Sequence, residues 1–75
     1  MKEEQDIIEN GIEYYVVYFS NTKRTCYYLG EGYHRELGPA VIYDDGRMEW
    51  YWDDKKIPVN SQEEFEKYLK LKAFW

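Results

Sequence analysis

Hydrophobic and aromatic residues occur in short runs along the chain, and polar or glycine-containing turns separate these runs. The first run, residues 12–19, reads IEYYVVYF and mixes β-branched with aromatic residues, which is typical of a strand buried on both faces. Three later runs are also predicted to be strands: residues 24–29, 40–43 and 47–52. Because Pro58 cannot donate a ladder hydrogen bond, the segment 55–59 is predicted to be an edge strand or an extended arm.

The dipeptide Asp45-Gly46 predicts a two-residue type I′ turn between the last two long strands. This turn pairs four sets of residues across the hairpin: Asp44 with Arg47, Tyr43 with Met48, Ile42 with Glu49, and Val41 with Trp50. Side chains alternate along a strand, so one face is predicted to be the core face. Its members are Val41, Tyr43, Met48, Trp50 and Trp52. A loop of three or four residues would change this register.

A helix is predicted over residues 61–72. Ser61 is an N-cap candidate, and Glu64 three residues later completes a capping box. Apolar residues then recur at helical spacing and form one stripe to lay on the sheet: Phe65, Tyr68 and Leu69.

The fold class predicted from these patterns is α+β. Residues 11–59 form a small antiparallel β-meander of four to five strands, and one C-terminal helix packs on that sheet. Residues 1–10 are polar and acidic, and we expect them to form a flexible leader. The whole chain, residues 1–75, is short enough to be a single domain.

The composition adds a possible binding capacity to this picture. Nine Tyr, three Trp and three Phe make up 20% of the chain. Large rings help a short chain to build a core, and Tyr and Trp are also enriched at protein interfaces. A net charge of −5 argues against direct nucleic-acid binding and favours a partner with a basic surface.

The residue types that carry catalysis or hold metals are sparse. Cys26 is the single cysteine, which excludes an internal disulfide and suits a reduced compartment. We expect a cytoplasmic protein, because no segment is typical of a signal peptide or a membrane span. His34 is the only histidine, and no residue pattern supplies it with a catalytic partner. We therefore predict no enzymatic activity, no cofactor and no metal site.

Residues 33–39 are predicted to be an irregular segment that ends at Gly38-Pro39, and we interpret His34, Arg35, Gly38 and Pro39 as a structural loop. The surrounding sequence resembles a family of short repeats in which an HR-x-x-GPA loop leads into a strand, a glycine turn and an aromatic strand. The resemblance covers roughly residues 27–57. Such repeats are loosely similar to MORN repeats and occur mostly in uncharacterised phage and bacterial proteins. The resemblance implies a fold and a phage origin, but no activity.

Acidic turn residues and the terminal aromatic are the candidate partner-binding residues: Asp44, Asp45, Asp53, Asp54 and Trp75. Our leading hypothesis is a small acidic phage accessory protein that binds and inhibits a host protein. The expected target is a defence system such as a CRISPR effector, or another nucleic-acid enzyme with a basic groove. One alternative is a self-assembling module that dimerises through an edge strand or through Phe74-Trp75. Another is a small-molecule or nucleotide binder with an aromatic pocket around His34, Trp50 and Trp52.

Overall fold

The computed structural model of the chain describes residues 2–72, and within them seven β-strands precede one α-helix. The elements are β1 (Lys2–Glu9), β2 (Ile12–Phe19), β3 (Arg24–Leu29), β4 (Gly32–Tyr33), β5 (Val41–Tyr43), β6 (Met48–Trp52), β7 (Lys55–Ile57) and α1 (Gln62–Lys72). The strands form one antiparallel sheet in the order β1-β2-β3-β5-β6-β7. The two-residue strand β4 pairs with the end of β3, beside β5. The predicted α+β meander with one C-terminal helix is confirmed, with more strands than the four to five expected.

The first ten residues differ from the flexible leader that we predicted. Residues 2–9 form the longest ladder of the sheet, which runs from the pair Lys2–Phe19 to the pair Glu9–Ile12. Asn10 and Gly11 both have positive φ, 52° and 79°, as a type I′ turn requires. Residues 2–9 are mostly acidic and polar and lack the apolar alternation by which we recognised the other strands, but an edge strand needs little of it. The Asn-Gly turn and the pairing with the β2 backbone hold this strand in place.

The register predicted for the β5–β6 hairpin is wrong by one residue. Val41 pairs with Glu49 and Ile42 pairs with Met48, because the loop has three residues instead of two. Gly46 has a φ of 98°, and the Asp45 carboxylate accepts a hydrogen bond from the Arg47 N–H at 3.1 Å, which stabilises the longer turn.

This shift changes the predicted core face. Met48 leaves the core and is 51% exposed, and Val41 lies on the opposite face of the sheet from Trp50.

The helix begins and packs as predicted. Ser61 Oγ accepts a hydrogen bond from the Glu64 N–H at 3.2 Å, which is the N-cap half of the capping box. Phe65 is fully buried against Trp50 and Ile57, and the two remaining residues of the predicted stripe, Tyr68 and Leu69, border this cluster. Among residues 2–72, no helix has the length and the apolar character needed to cross a membrane.

The two faces of the sheet have different surroundings. One face, which we name the helix face, carries Trp50 and Ile57 beneath α1, and Tyr27 beneath the Arg35 side chain. The opposite face carries the residues that alternate with these, including Tyr28 and Tyr51. We name it the tyrosine face.

Candidate functional site

Four tyrosine rings form a continuous row across the tyrosine face. Ring centroids are 6.3 Å apart for Tyr15–Tyr28, 4.9 Å for Tyr28–Tyr33 and 4.9 Å for Tyr33–Tyr51. These distances lie within the range at which aromatic rings interact favourably. We name these four residues the tyrosine row.

Strand register places each ring in the row. Tyr15 of β2 is directly opposite Tyr28 of β3, and Tyr28 is directly opposite Tyr33 of β4. Directly opposite residues share a face, so the first three rings must lie side by side. The Tyr33 backbone then exchanges hydrogen bonds with Asp54: its C=O accepts from the Asp54 N–H at 2.8 Å, and its N–H donates to the Asp54 carboxylate at 3.2 Å. This contact brings Tyr33 to the end of β6 and against Tyr51.

The tyrosine row is open to solvent on its outer side. Tyr15 is 42% exposed, and the other three rings are half-buried. Within residues 2–72, α1 and the loop that follows β4 make their contacts on the helix face. A groove of about 260 Å³ runs beside Tyr15 and Tyr28 and reaches Glu4 of β1. An aromatic surface of this kind, without an intramolecular cover in the part of the chain described, suits contact with another molecule.

Beneath the tyrosine row lies a neutral thiol. Cys26 has no exposed surface, and burial raises the pKa of its thiol, so the nucleophilic thiolate is disfavoured. Burial, assisted by a hydrogen bond with Tyr33, also raises the pKa of Tyr28. Both groups therefore stay protonated at neutral pH, and Tyr28 presents a phenol rather than a charge.

Charged residues flank the tyrosine row at both ends. On the β1 side, Glu4 accepts hydrogen bonds from the Tyr15 hydroxyl and the Lys2 ammonium, and these bonds lower the pKa of Glu4. Asp6 lies directly opposite Tyr15 and so shares its face. On the β6 side, Glu49 accepts a hydrogen bond from Lys56 at 3.0 Å.

The acidic turn residues that we predicted as partner-binding lie in two turns at opposite ends of β6, and Asp54 contacts the row through Tyr33. Asp44 accepts a hydrogen bond from the Tyr18 hydroxyl at 2.7 Å, and Asp45 forms an ion pair with Arg47 at 2.8 Å. Asp53 and Asp54 lie at the opposite end of β6, where Asp54 holds Tyr33. The structure therefore does not bring the four carboxylates together, and Trp75 lies outside the described residues.

The segment that begins with His34 and Arg35 crosses the helix face. His34 is 4% exposed, and its Nδ1 accepts a hydrogen bond from the Asp53 N–H at 3.1 Å, which ties the loop to the β6–β7 turn. Arg35 stacks on Tyr27 at 3.9 Å and donates to the Pro39 C=O at 3.2 Å. Gly38 lies directly under the Arg35 guanidinium, where a Cβ would approach Nη1 to 2.7 Å.

The three residues of the aromatic-pocket alternative, His34, Trp50 and Trp52, lie on the helix face. Trp50 is 3% exposed, and its indole N–H donates to Gln62 Oε1 at 2.8 Å. The Trp52 ring lies 4.4 Å from the His34 ring. Trp50 is thus part of the core beneath α1, and Trp52 packs against both this cluster and His34.

Sequence reasoning noted the abundance of tyrosine but named none of the four row residues as site candidates. Tyr15 and Tyr28 lie in two runs predicted to be strands, 12–19 and 24–29, and a register for the turn between these runs would have paired them. Tyr33 carried no such signal, because β4 has only two residues and lies in a segment predicted to be irregular. In residues 2–72, no cluster of three or more His, Cys, Asp or Glu side chains is placed to hold a metal ion.

Comparison of the chain with protein-family models found no match, and comparisons with curated proteins and with solved structures found none either.

Proposed function

We propose that this protein is a protein-binding module and that the tyrosine row is its binding face. The observation that carries the proposal is the open row of Tyr15, Tyr28, Tyr33 and Tyr51, a continuous aromatic surface on the face opposite α1. Tyrosine supplies a large, rigid contact surface and a hydrogen-bonding hydroxyl, and it loses little conformational entropy on binding. It is therefore among the residues most often found at the energetic centre of interfaces.

A protein partner fits this face better than a nucleic acid. Stacking on aromatic side chains is common to both kinds of complex, but nucleic-acid sites combine it with basic residues that neutralise phosphates. Here the flanking carboxylates include Glu4 and Asp6, and the chain carries a net charge of −5. These charges repel phosphates.

The same charges favour a basic partner surface. A guanidinium or ammonium placed on a tyrosine ring gains a cation–π attraction, and nearby carboxylates strengthen it. The protein uses this contact internally, because Arg35 stacks on Tyr27 at 3.9 Å and Arg47 stacks on Tyr43 at 4.4 Å. Arginine side chains of a partner would find similar rings on the tyrosine face.

The inhibitory role expected from the sequence is the stronger form of this proposal. A chain of 75 residues can inhibit a host protein by covering a basic surface that the target needs for its substrate. For a phage accessory protein, a defence system such as a CRISPR effector is a target of this kind. This stronger form requires that the substitutions that abolish binding to the target also abolish its inhibition.

The test is capture from bacterial lysate with three tagged forms of the full chain. The first is the wild type, and the second is the double variant Tyr15→Thr/Tyr51→Thr, which keeps strand propensity but removes both ends of the row. The matched control is Leu37→Ser/Leu71→Ser, which alters two exposed apolar residues away from the row, 52% and 64% exposed.

The proposal expects one protein to be captured by the wild type and the control but depleted at least about tenfold with the tyrosine variant, as for loss of an interface anchor. Equal capture by all three forms would overturn the role of the row. Recovery of the bait alone, as a dimer that persists in the tyrosine variant, would favour the self-assembling module instead.

A further inference from the structure

The strand β1 is the outermost strand of the sheet and pairs on one side only. Its eight residues run Lys2–Glu9, longer than the five or so residues of an average strand, and the free side shows no pairing within residues 2–72. In an antiparallel ladder, the backbone groups of alternate residues point away from the paired neighbour. A two-residue turn makes Glu9 and Ile12 a hydrogen-bonded pair, so the outward-pointing residues are Lys2, Glu4, Asp6 and Ile8.

We infer that β1 is a docking edge to which a partner adds a strand, and that this strand is a basic, extended segment. The inference rests on the proposed function and specifies the partner's chemistry. The backbone N–H and C=O groups of the outward-pointing residues supply the hydrogen bonds, as in other complexes formed by strand addition. The negative charge of β1 determines which kind of strand binds most favourably.

The charge of β1 favours a basic segment over a second copy of this chain. Among the outward-pointing residues, Glu4 and Asp6 are both acidic and both exposed. In a symmetric antiparallel pairing of two β1 strands, outward-pointing residues must lie opposite outward-pointing residues. Only two registers meet this condition and pair six or more residues of each strand. One places Glu4 opposite Asp6, and the other places Glu3 opposite Glu9. Like charges directly opposite are unfavourable, whereas lysine or arginine at these positions is favourable.

The docking edge is continuous with the tyrosine row. Lys2, Glu4 and Asp6 lie on the tyrosine face, and Asp6 is directly opposite Tyr15. Lys2 and Glu4 also line the groove that runs beside Tyr15 and Tyr28. A strand added to β1 would therefore place alternate side chains beside the exposed end of the row, so one partner could occupy both surfaces.

The test uses the full chain and a synthetic eight-residue peptide that alternates lysine or arginine with threonine or valine. A control peptide of the same sequence carries N-methyl groups at alternate backbone positions, which keep its charge but block strand pairing. Binding is followed by the NMR shifts of the backbone amides of Glu4, Asp6 and Ile8. The inference expects saturable shifts with the first peptide and at least about tenfold weaker binding of the second, the factor that one lost hydrogen bond provides.

Two variants separate backbone pairing from charge. Asp6→Asn removes the charge but keeps the outward N–H, whereas Asp6→Pro removes both at a position where an edge strand tolerates proline. We expect Asp6→Pro to weaken binding at least about tenfold further than Asp6→Asn. Unchanged amide signals of Glu3 and Glu9, which bond to β2 and do not adjoin residue 6, establish that the hairpin is intact.

The inference is overturned if the N-methylated peptide binds as tightly as the unmodified one, or if an acidic peptide of matched pattern does. It is also overturned if the shifts map to another part of the protein. The peptide contacts the edge whether or not the tyrosine row binds a partner, so these outcomes are independent of capture by the Tyr15→Thr/Tyr51→Thr variant.

Discussion

The ion pair between Arg35 and Glu9 fastens β1 to the loop on the helix face, and its removal tests the largest departure from the sequence prediction. The guanidinium donates from Nε to Glu9 Oε1 at 3.1 Å and from Nη2 to Oε2 at 2.8 Å, a bidentate geometry. The side chains are 14% and 23% exposed. The substitution that tests this ion pair is Glu9→Gln, which keeps the size of the side chain but removes its charge.

The magnitude follows from the contacts. Hydrogen bonds to a charged group contribute about 1.5–3 kcal/mol, and Gln keeps one acceptor but turns an amide NH₂ toward the guanidinium. We therefore expect Glu9→Gln to lower the free energy of unfolding by about 2 kcal/mol. In a domain of this size, 1 kcal/mol corresponds to about 4–8 °C in Tm, so the expected decrease is roughly 8–16 °C.

The loss should depend on pH in a defined direction. The hydrogen bonds from Arg35 hold the pKa of Glu9 below its usual value, so this carboxylate stabilises the fold at pH values above its unfolded pKa. That stabilisation is lost as the pH falls through the lowered pKa of the folded state. The difference in Tm between wild type and Glu9→Gln should therefore be full near pH 7 and shrink below about pH 4.

The assay is thermal unfolding followed by tryptophan fluorescence, with Glu13→Gln as the control. Glu13 is an exposed carboxylate on β2, close to the same hairpin turn, so the Tm of the Glu13→Gln variant should stay near that of the wild type. If Glu9→Gln also unfolds like the wild type at pH 7, the ion pair does not form in solution. The ladder with β2 would then be what holds β1 in place.

Three further predictions concern the β5–β6 turn, the core and the buried thiol. Gly46→Ala, at a φ of 98°, should lower the free energy of unfolding by about 1 kcal/mol or more in urea titrations; an unchanged midpoint would contradict the three-residue loop. Phe65→Ala should lower the free energy of unfolding by about 3–5 kcal/mol and abolish cooperative melting in circular dichroism. A cooperative transition like that of the wild type would show that α1 is not part of the core. Cys26 should react with a thiol reagent at pH 8 only as fast as the protein unfolds; immediate labelling would refute its burial.

Local signals predicted the elements of the fold that depend on neighbouring residues. The helix began at its capping box because Ser61 and Glu64 lie within one turn of each other. The register of the β5–β6 hairpin was missed because the choice between two and three loop residues depended on the Asp45–Arg47 contacts, which the dipeptide alone does not specify. Strand β1 was missed although the Asn10-Gly11 turn beside it is a local signal for a hairpin. Its polar composition lacks apolar alternation, and the Arg35 contact that holds Glu9 comes from 26 residues away.

The candidate site depended even more on distant contacts. The tyrosine row needs β4 to cross from the end of β3 to the end of β6, and the contact that places it joins Tyr33 to Asp54, 21 residues away. Asp54 was predicted to bind a partner because it is acidic and lies in a turn. In the structure Asp54 holds Tyr33 in the row, a role that only the folded backbone reveals.

The central claim, that the tyrosine row contacts a partner, is tested most directly by photo-crosslinking. A photoreactive phenylalanine analogue replaces Tyr51 or Tyr15 in one set of full-length chains and the exposed Leu71 in a control chain, and each is irradiated in bacterial cells. We predict that the two row positions crosslink to the same protein and that Leu71 does not. Crosslinks from Leu71 alone, or none from either row position while the chain still captures its partner, would show that the partner binds elsewhere.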